Sequence, residues 1–437
     1  MAQIIKRPKG TQDMLPREAY KWHTVEKLCE DTAQSYGYRE IRTPMFEDTG
    51  LFVRSVGDTT DVVQKEMYTV SAKGDAQFTL KPEGTAGAVR AALENGLLND
   101  ALPAKMYYVT SCFRHEKPQA GRLREFHQFG CEMLGAKGPA ADADLLLLVK
   151  TVLDRAGLKN YELNLNSIGC PECRAEYVKA LREYFSARED ELCDTCKTRL
   201  VKNPMRILDC KSPICSGIAK DVPVILDYLC DECREHFEEL KKILDELGVE
   251  YVINPKIVRG LDYYTKTVFE FITNEIGAQG TICAGGRYDG LVSQLGGADT
   301  PALGFAMGLE RMMLLMENQG AEFFEEPTCD VYLASMGEKA LVKTAALAKE
   351  LRDAGFWAEY DLAGRSLKAQ MKYADKINAK FSMVIGDNEL EAGVAKLKNM
   401  ANGEIDDLKL NDDFCEKFSD VLVAYMFGDA FEESGLI

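Results

Sequence analysis

Apolar side chains recur with helical spacing from residue 22 to 36. Trp22, Val25, Leu28, Cys29, Ala33 and Tyr36 fall on one face and Gly37 follows as a stop, so the spacing predicts a helix over 22–36. YREIRTP (38–44) reads as a strand closed by Pro44, and a mixed stretch runs on to about residue 70. Short apolar runs return at 106–109, 163–165, 268–272 and 281–284, bounded by turn residues. Runs tens of residues apart suit an antiparallel sheet with intervening helices better than regular βαβ alternation.

The pattern changes over 166–235, where two helical stripes flank a cysteine-rich stretch. Tyr177, Ala180, Leu181, Tyr184 and Phe185 make one stripe, and Phe237, Leu240, Leu244 and Leu247 make the other. This reads as a small helical insertion (166–235) dividing a larger domain into 1–165 and 236–320. The acidic ENQGAEFFEEPT (317–328) reads as a linker. Beyond it, over 328–437, strands at 331–335, 357–361 and 381–385 alternate with helices at 339–354 and 367–379. A pair of strands around Gly403 and a helix bearing Phe414, Phe418, Val421, Leu422 and Tyr425 complete a compact α/β domain.

A chain of 437 residues fits two or three such domains. No run approaches the ~18–20 apolar residues of a membrane span, and MAQIIKRPKG has no apolar core after its basic residues, so an unexported, cytoplasmic protein with no membrane partner is expected. The net charge of −17 argues against indiscriminate nucleic-acid binding while allowing a local basic groove. Fourteen cysteines without export imply reduced thiols, metal ligands or core packing rather than a disulfide framework.

Four clusters carry candidate chemistry. In KPEGTA (81–86), an extended chain would point Glu83 and Thr85 the same way beside Gly84, to hold one ammonium group; the same residues also suit a turn with a solvated carboxylate. FRHEKPQAGRLREFHQFGCE (113–132) alternates as a β-hairpin with 117–121 as its loop. It places Arg114 on one arm and Phe126, Gln128, Gly130 and Glu132 on one face of the other, as a phosphate clamp, a base-stacking ring and polar readers, unless the hairpin is simply solvated. VRGLDYYTKTVFEF (258–271) sets Arg259 beside Tyr263 and Tyr264, a pair equally suited to a core edge. In GFAMGLERMMLL (304–315), Arg311 stands in so apolar a helix that it needs an anionic partner, an internal carboxylate or a bound phosphate.

The order and wording of these clusters resemble the histidyl-tRNA synthetases, a family of class II aminoacyl-tRNA synthetases, from KGTQDMLP (9–16) into the C-terminal domain. GYREIRTPMFED is similar to class II motif 1, FRHE…EFHQFGCE to motif 2 and ALGFAMGLERMMLL to motif 3; IVRGLDYYTKTVFEF and AGGRYDGL (284–291) are similar to two segments particular to the histidine enzymes. The resemblance implies an α+β class II catalytic domain, an antiparallel sheet flanked by helices, with a C-terminal anticodon-binding domain. It implies a homodimer built through motif 1 that uses ATP with Mg²⁺ to join L-histidine to tRNA(His). It assigns the histidine α-amino group to Glu83, Thr85 and Gln128 around Gly84, and the imidazole to Glu132 and Tyr264 with Tyr263 and Tyr288 shaping the pocket. Arg114 and Arg259 would contact the ATP α-phosphate as the catalytic cations, Phe126 the adenine and Arg311 the γ-phosphate. Arg122 and Arg124 would meet the tRNA acceptor stem. Arg365, Lys368, Lys372, Lys376 and Lys380 form a basic set in the C-terminal domain, with Lys368, Lys372 and Lys376 on one helix face that is either tRNA-binding or merely solvated.

Two other readings compete. A regulatory paralogue of the same fold would bind histidine without charging tRNA, but Arg259, both histidine-specific segments and a full C-terminal domain are present. A zinc-dependent nucleic-acid-binding module would leave the motifs on both sides of the insertion unexplained. The insertion nevertheless offers a zinc site: Cys170, Cys173, Cys193 and Cys196 give C-x₂-C-x₁₉-C-x₂-C, with Cys210, Cys215, Cys230 and Cys233 able to form a second site or to replace a pair.

Overall fold

A computed structural model describes residues 4–58, 60–71, 76–276 and 280–433, with side chains along the last helix described to Met426. The chain divides into two units, Met1–Phe324 and Glu325–Ile437.

In chain order the first unit contains β1 (Arg39–Glu40), β2 (Phe46–Asp48), β3 (Tyr68–Ser71), β4 (Gln77–Leu80), β5 (Ala104–Phe113), β6 (Glu125–Leu134) and β7 (Glu162–Ser167). It continues with β8 (Val252–Ile253), β9 (Thr265–Ile272), β10 (Thr281–Arg287) and β11 (Ala302–Gly308). Eight of these form one sheet in the order β1-β5-β6-β11-β10-β9-β7-β8, while β2, β4 and β3 form a small separate sheet. The six central strands pair antiparallel, as their hydrophobic spacing predicts. The two short edge strands, β1 and β8, pair parallel, so the sheet is mixed.

One face of this sheet is apolar. Phe129, Cys131 and Met133 of β6, Leu303, Phe305 and Met307 of β11, Phe269 and Phe271 of β9, and Leu163 and Leu165 of β7 are all buried there. They pack on helices Pro16–Ser35, Pro139–Arg155, Asp231–Glu246 and Leu309–Gln319 through side chains such as Val25, Leu148, Leu240 and Met312. The first helix starts six residues before the predicted 22. Its first turn has no apolar period, but Pro16 at the N-terminus and Glu18 in the first turn both favour a start there.

Between β7 and β8 the chain runs through helices Pro171–Ser186, Asp194–Lys202 and Pro213–Ile218, which enclose a core of their own around Tyr177, Leu181, Phe185, Leu200 and Ile207. Helix Asp231–Glu246 instead returns to the main core through Phe237, Leu240 and Leu244.

The second unit has β12 (Val331–Ser335), β13 (Ala358–Tyr360), β14 (Phe381–Ile385), β15 (Val394–Asn399) and β16 (Ile405–Lys409) in the order β13-β12-β14-β15-β16. Its first three positions are parallel and the rest antiparallel. Helices Glu338–Asp353 and Phe414–Glu433 cover one face, with Leu347, Leu351, Phe414, Phe418 and Leu422 buried. Helix Leu367–Lys376 covers the other.

Candidate functional site

The face of the large sheet opposite its core forms the floor of a cleft of about 690 Å³. The floor is open because its residues are small. One cross-strand row runs from Gly130 on β6 to Ala306 on β11, Ala284 on β10 and Glu270 on β9. The next row sets Glu132 opposite Gly304, and a Cβ on Gly304 would stand 2.0 Å from Glu132 Oε2. Strand alternation therefore serves both faces of β6: Phe126, Gln128, Gly130 and Glu132 belong to the cleft side, and Phe129, Cys131 and Met133 to the core.

The hairpin register pairs Cys112 with Phe126 and Phe113 with Glu125. Arg114, one residue past β5, thus reaches the same side as Phe126, and its guanidinium lies 5.3 Å from that ring centroid while Nε donates to Pro82 O at 2.8 Å. The predicted loop at 117–121 is the tip of a longer connection, 114–124. Arg122 lines the cleft and pairs with Glu116 at 3.0 Å. Arg124 donates to Glu116 O at 3.2 Å, and its backbone N–H donates to Gly10 O at 2.7 Å.

Glu132 is fully buried. Oε1 accepts from the Tyr108 hydroxyl at 2.9 Å and Oε2 from the Tyr288 hydroxyl. Burial pushes its carboxyl up to about 8, against the hydrogen bonds from Tyr288, Thr85 and Tyr108. The carboxyl keeps a further acceptor position, so an imidazole N–H can add to these two bonds. Tyr263, Tyr264 and Tyr288 form a cage with ring centroids 4.8, 5.5 and 6.3 Å apart. Gln128 is held by the Cys112 thiol, which donates to Oε1 at 3.3 Å.

Glu83 and Thr85 are brought together, but not by the extended segment predicted. Thr85 opens helix Thr85–Glu94, and the Glu83 carboxylate caps that helix, accepting from the Thr85 and Ala86 backbone N–H groups at 2.7 and 2.9 Å. Burial raises the Glu83 carboxyl, and those N–H bonds oppose the rise. Gly84 leaves room for Tyr108: a Cβ there would lie 2.2 Å from its ring.

Arg259 lines the cleft, bonded to Glu270 and 5.7 Å from the Tyr264 ring centroid. Its Nε is buried without a partner, so the guanidinium has hydrogen-bonding capacity left. Arg311 lines the same cleft. The anionic partner expected for it is not a carboxylate among the described residues: its guanidinium donates to the backbone carbonyls of Gly121, at 3.3 Å, and Thr281. Burial lowers its pKa, and Arg122 and Arg114 add repulsion. Arg114, Arg259 and Arg311 line one cleft, and the free Nε of Arg259 and the carbonyl-only bonding of Arg311 leave donors for an anion such as a polyphosphate.

Sequence reasoning missed Tyr108, Glu270, Asp209 and Lys211, the last three of which line the cleft. Tyr108 and Glu270 follow only from strand register, Tyr108 opposite Gly130 and Glu270 opposite Ala284. It also missed the support beneath Tyr288. Arg287, fully buried, grips Asp142 through Nε at 3.0 and 2.9 Å and Nη2 at 2.7 Å, and donates to Ala136 O and Gly138 O at 2.9 Å.

The cysteines proposed as one zinc set do not meet. Cys170 and Cys173 stand with Cys230 and Cys233, whereas Cys193 and Cys196 stand with Cys210 and Cys215. Equal C-x₂-C spacing hid this, because pairing depends on which helix ends the insertion's own core brings together.

In the second unit Lys368, Lys372 and Lys376 are exposed. Arg365 is paired with Asp361 at 2.9 Å and stacked 4.4 Å from the Tyr373 ring centroid, and Lys380 is paired with Asp330 at 2.8 Å. No helix among the described residues is long and apolar enough to cross a membrane.

Comparison with known proteins identifies the family. A profile of the family described as histidyl-tRNA synthetase matches residues 10–194 and 221–312, and one described as anticodon binding domain matches 330–418. The chain is 53% identical to the histidine–tRNA ligase of Acetivibrio thermocellus over 93% of its own length and 98% of that protein. It is 55% identical to that of Clostridium perfringens over 92% and 96%. The apo histidyl-tRNA synthetase of S. aureus superimposes with a TM-score of 0.81 at 39% identity, covering 95% of this chain and all of that one.

Proposed function

The chain belongs to the histidyl-tRNA synthetase family, and from that premise we propose how its residues divide the work. It is a ligase that activates L-histidine with ATP and transfers the histidyl group to tRNA, and the regulatory alternative is not favoured. The observation that carries the assignment of residues is a buried carboxyl ringed by tyrosines at one end of a cleft whose wall bears Arg114, Arg259 and Arg311.

Histidine enters with its imidazole toward Glu132 and Tyr264, inside the cage completed by Tyr263 and Tyr288. A ring presenting one donor and one acceptor satisfies both groups, and a ring lacking either leaves a buried polar group unpaired. Glu83, Thr85 and Gln128 take the ammonium beside Gly84. The adenine stacks on Phe126, Arg114 and Arg259 hold the α-phosphate, and Arg311 holds the γ-phosphate. The histidine carboxylate attacks the α-phosphorus in line and pyrophosphate leaves. The tRNA terminal ribose hydroxyl then attacks the adenylate carbonyl and releases AMP. Neither step requires a protein nucleophile; the arginines hold the reactants in line and offset charge on the crowded phosphate oxygens.

ATP would bring Mg²⁺, which would offset phosphate charge. Glu116, Glu270 and Glu310 line the cleft and suit an ion that takes one or two protein oxygens and fills its remaining positions from phosphate and water. The thiolates of the insertion suit Zn²⁺. Arg122 and Arg124 meet the tRNA acceptor stem, and the Lys368, Lys372 and Lys376 face belongs to the anticodon side. The working form is a cytoplasmic homodimer. Histidine-dependent pyrophosphate exchange with Mg²⁺ and ATP tests the assignment of the cleft: it should vanish in Glu132→Ala and Arg259→Ala, and exchange at wild-type rate in either would refute it.

A further inference from the structure

Eight of the fourteen cysteines stand in two groups of four, outside the set of side chains that bind histidine and ATP. The Sγ atoms of Cys170, Cys173, Cys230 and Cys233 all lie within 4.8 Å of one another, and so do those of Cys193, Cys196, Cys210 and Cys215. In the first group Cys170 is 3.5 Å from Cys173 and 4.0 Å from Cys230; in the second Cys193 is 3.9 Å from Cys210. Four sulfurs arranged tetrahedrally about one Zn²⁺, each about 2.3 Å from it, stand about 3.8 Å apart. A disulfide would need about 2.05 Å, and all eight cysteines are free.

Backbone N–H groups reach three of the sulfurs. Cys173 Sγ accepts from the Cys230 N–H at 3.1 Å, Cys215 Sγ from the Cys193 N–H at 3.3 Å, and Cys210 Sγ from the Ser212 N–H at 3.5 Å. Cys170, Cys193 and Cys230 each directly precede a helix, Pro171–Ser186, Asp194–Lys202 and Asp231–Glu246, so each C-x₂-C pair is held at a helix start. Four negative sulfurs in contact would repel one another strongly unless a cation stood among them.

We propose that the insertion carries two structural Zn²⁺ ions, one held by Cys170, Cys173, Cys230 and Cys233 and the other by Cys193, Cys196, Cys210 and Cys215. With four protein ligands each, neither ion has a position for substrate. The first ion fastens the neck where the chain leaves β7 and where helix Asp231–Glu246 returns to the main core. Arg174, next to Cys173, carries that order onward by donating to Tyr264 O at 3.0 Å. The second ion fixes a cleft wall: Cys210 lies between Asp209 and Lys211, both of which line the cleft, and Arg206 donates to Gly260 O at 3.1 Å. A unit this small has too little core to hold itself at such precision, and a metal staple supplies what the core lacks. The proposal does not depend on the ligase reading, and its test measures metal rather than turnover.

Full-length protein, purified under reducing conditions without chelator from zinc-supplemented cells, should contain two zinc ions per chain by elemental analysis. Titration of the native protein with a mercurial should release one ion for every four thiols modified. Cobalt substitution should give the spectrum of tetrahedral four-thiolate coordination, saturating at two equivalents. The grouping is tested by replacing Cys193, Cys196, Cys210 and Cys215 with Ser together. One zinc should remain, whereas pairing Cys170 and Cys173 with Cys193 and Cys196 would leave none. If that variant does not fold, replacing Cys170, Cys173, Cys230 and Cys233 with Ser together tests the grouping in the same way, and the stoichiometry and cobalt spectrum of the unmodified protein test the two ions themselves. One ion or none per chain, iron in place of zinc, or eight thiols freely titratable in the native protein would overturn the proposal.

Discussion

Tyr108 donates its hydroxyl to Glu132 Oε1 at 2.9 Å, and its ring occupies the space left by two glycines, Gly84 and Gly130. A Cβ on Gly130 would stand 2.4 Å from that ring. Tyr108→Phe should raise the KM for histidine about tenfold while leaving kcat within a few-fold, since one hydrogen bond to a buried acidic group contributes ~1–3 kcal/mol. Gly130→Ala should do worse by pushing the whole ring aside. Pyrophosphate exchange at varied histidine gives both constants, and an unchanged KM in Tyr108→Phe would separate this tyrosine from substrate binding.

Glu132 also makes stability depend on pH. Its carboxyl is pushed from 4.5 to about 8 by burial in the folded, ligand-free protein. Between those values the folded state holds a proton that the unfolded chain has released, so this group's contribution to stability is complete below 4.5 and is lost as pH rises through about 8. Glu132→Gln should flatten the dependence. The chain has two tryptophans, and with Trp357→Phe the buried Trp22 reports the first unit alone. Denaturation curves at several pH values that stay parallel in wild type and Glu132→Gln would contradict the shift.

Arg259→His should reduce adenylate formation by about 10² or more, the usual cost of losing one preorganised donor to a developing negative charge. Its bond to Glu270 makes a second variant informative. Glu270→Gln frees the guanidinium, so its effect should fall on ATP binding and not on histidine binding. Rapid-quench measurement of adenylate formation separates the two variants, and Arg259→His within tenfold of wild type would remove this cation from the mechanism.

Arg287→Leu should cost about 3–5 kcal/mol of stability in the first unit, because it removes the guanidinium from the buried Asp142 carboxylate and leaves it only the His236 contact among the described ion pairs. Burial alone would raise the Asp142 carboxyl, but His236 and Arg287 together hold it below the usual carboxylate range. The Trp22 signal measures the loss. A cost under about 1 kcal/mol would mean that water replaces the guanidinium, contrary to its complete burial.

Ending the chain at Phe324 should preserve histidine-dependent exchange and abolish tRNA charging, since each unit has a separate hydrophobic core. Parallel assays of exchange and aminoacylation on the shortened protein check this. Equal loss of both would assign the second unit a part in building the first.

Features that repeat along one segment could be read from the sequence. Alternation placed Phe126, Gln128, Gly130 and Glu132 on one face of β6, and helical spacing placed Trp22, Val25, Cys29 and Ala33 in the core. Features that need a partner from elsewhere could not. Tyr108 and Glu270 reach the site through strand pairing, and nothing within their own segments distinguishes them from ordinary sheet residues. Residues 81–86 suit both an extended segment and a turn; the chain turns there, and the carboxylate is not solvated, because an acidic residue two positions before a helical run can satisfy the free N–H groups of that helix, as Glu83 does. The cysteine pairs looked interchangeable because the contacts that sort them are formed by the folding of some sixty intervening residues.

β6 serves the substrate on one side and the oily interior on the other, in strict alternation. Adding or deleting a single residue anywhere along it would exchange the two sides downstream, presenting Phe129 and Met133 to the ligand and driving Glu132 into the hydrocarbon. This stretch can therefore change by substitution but hardly by length.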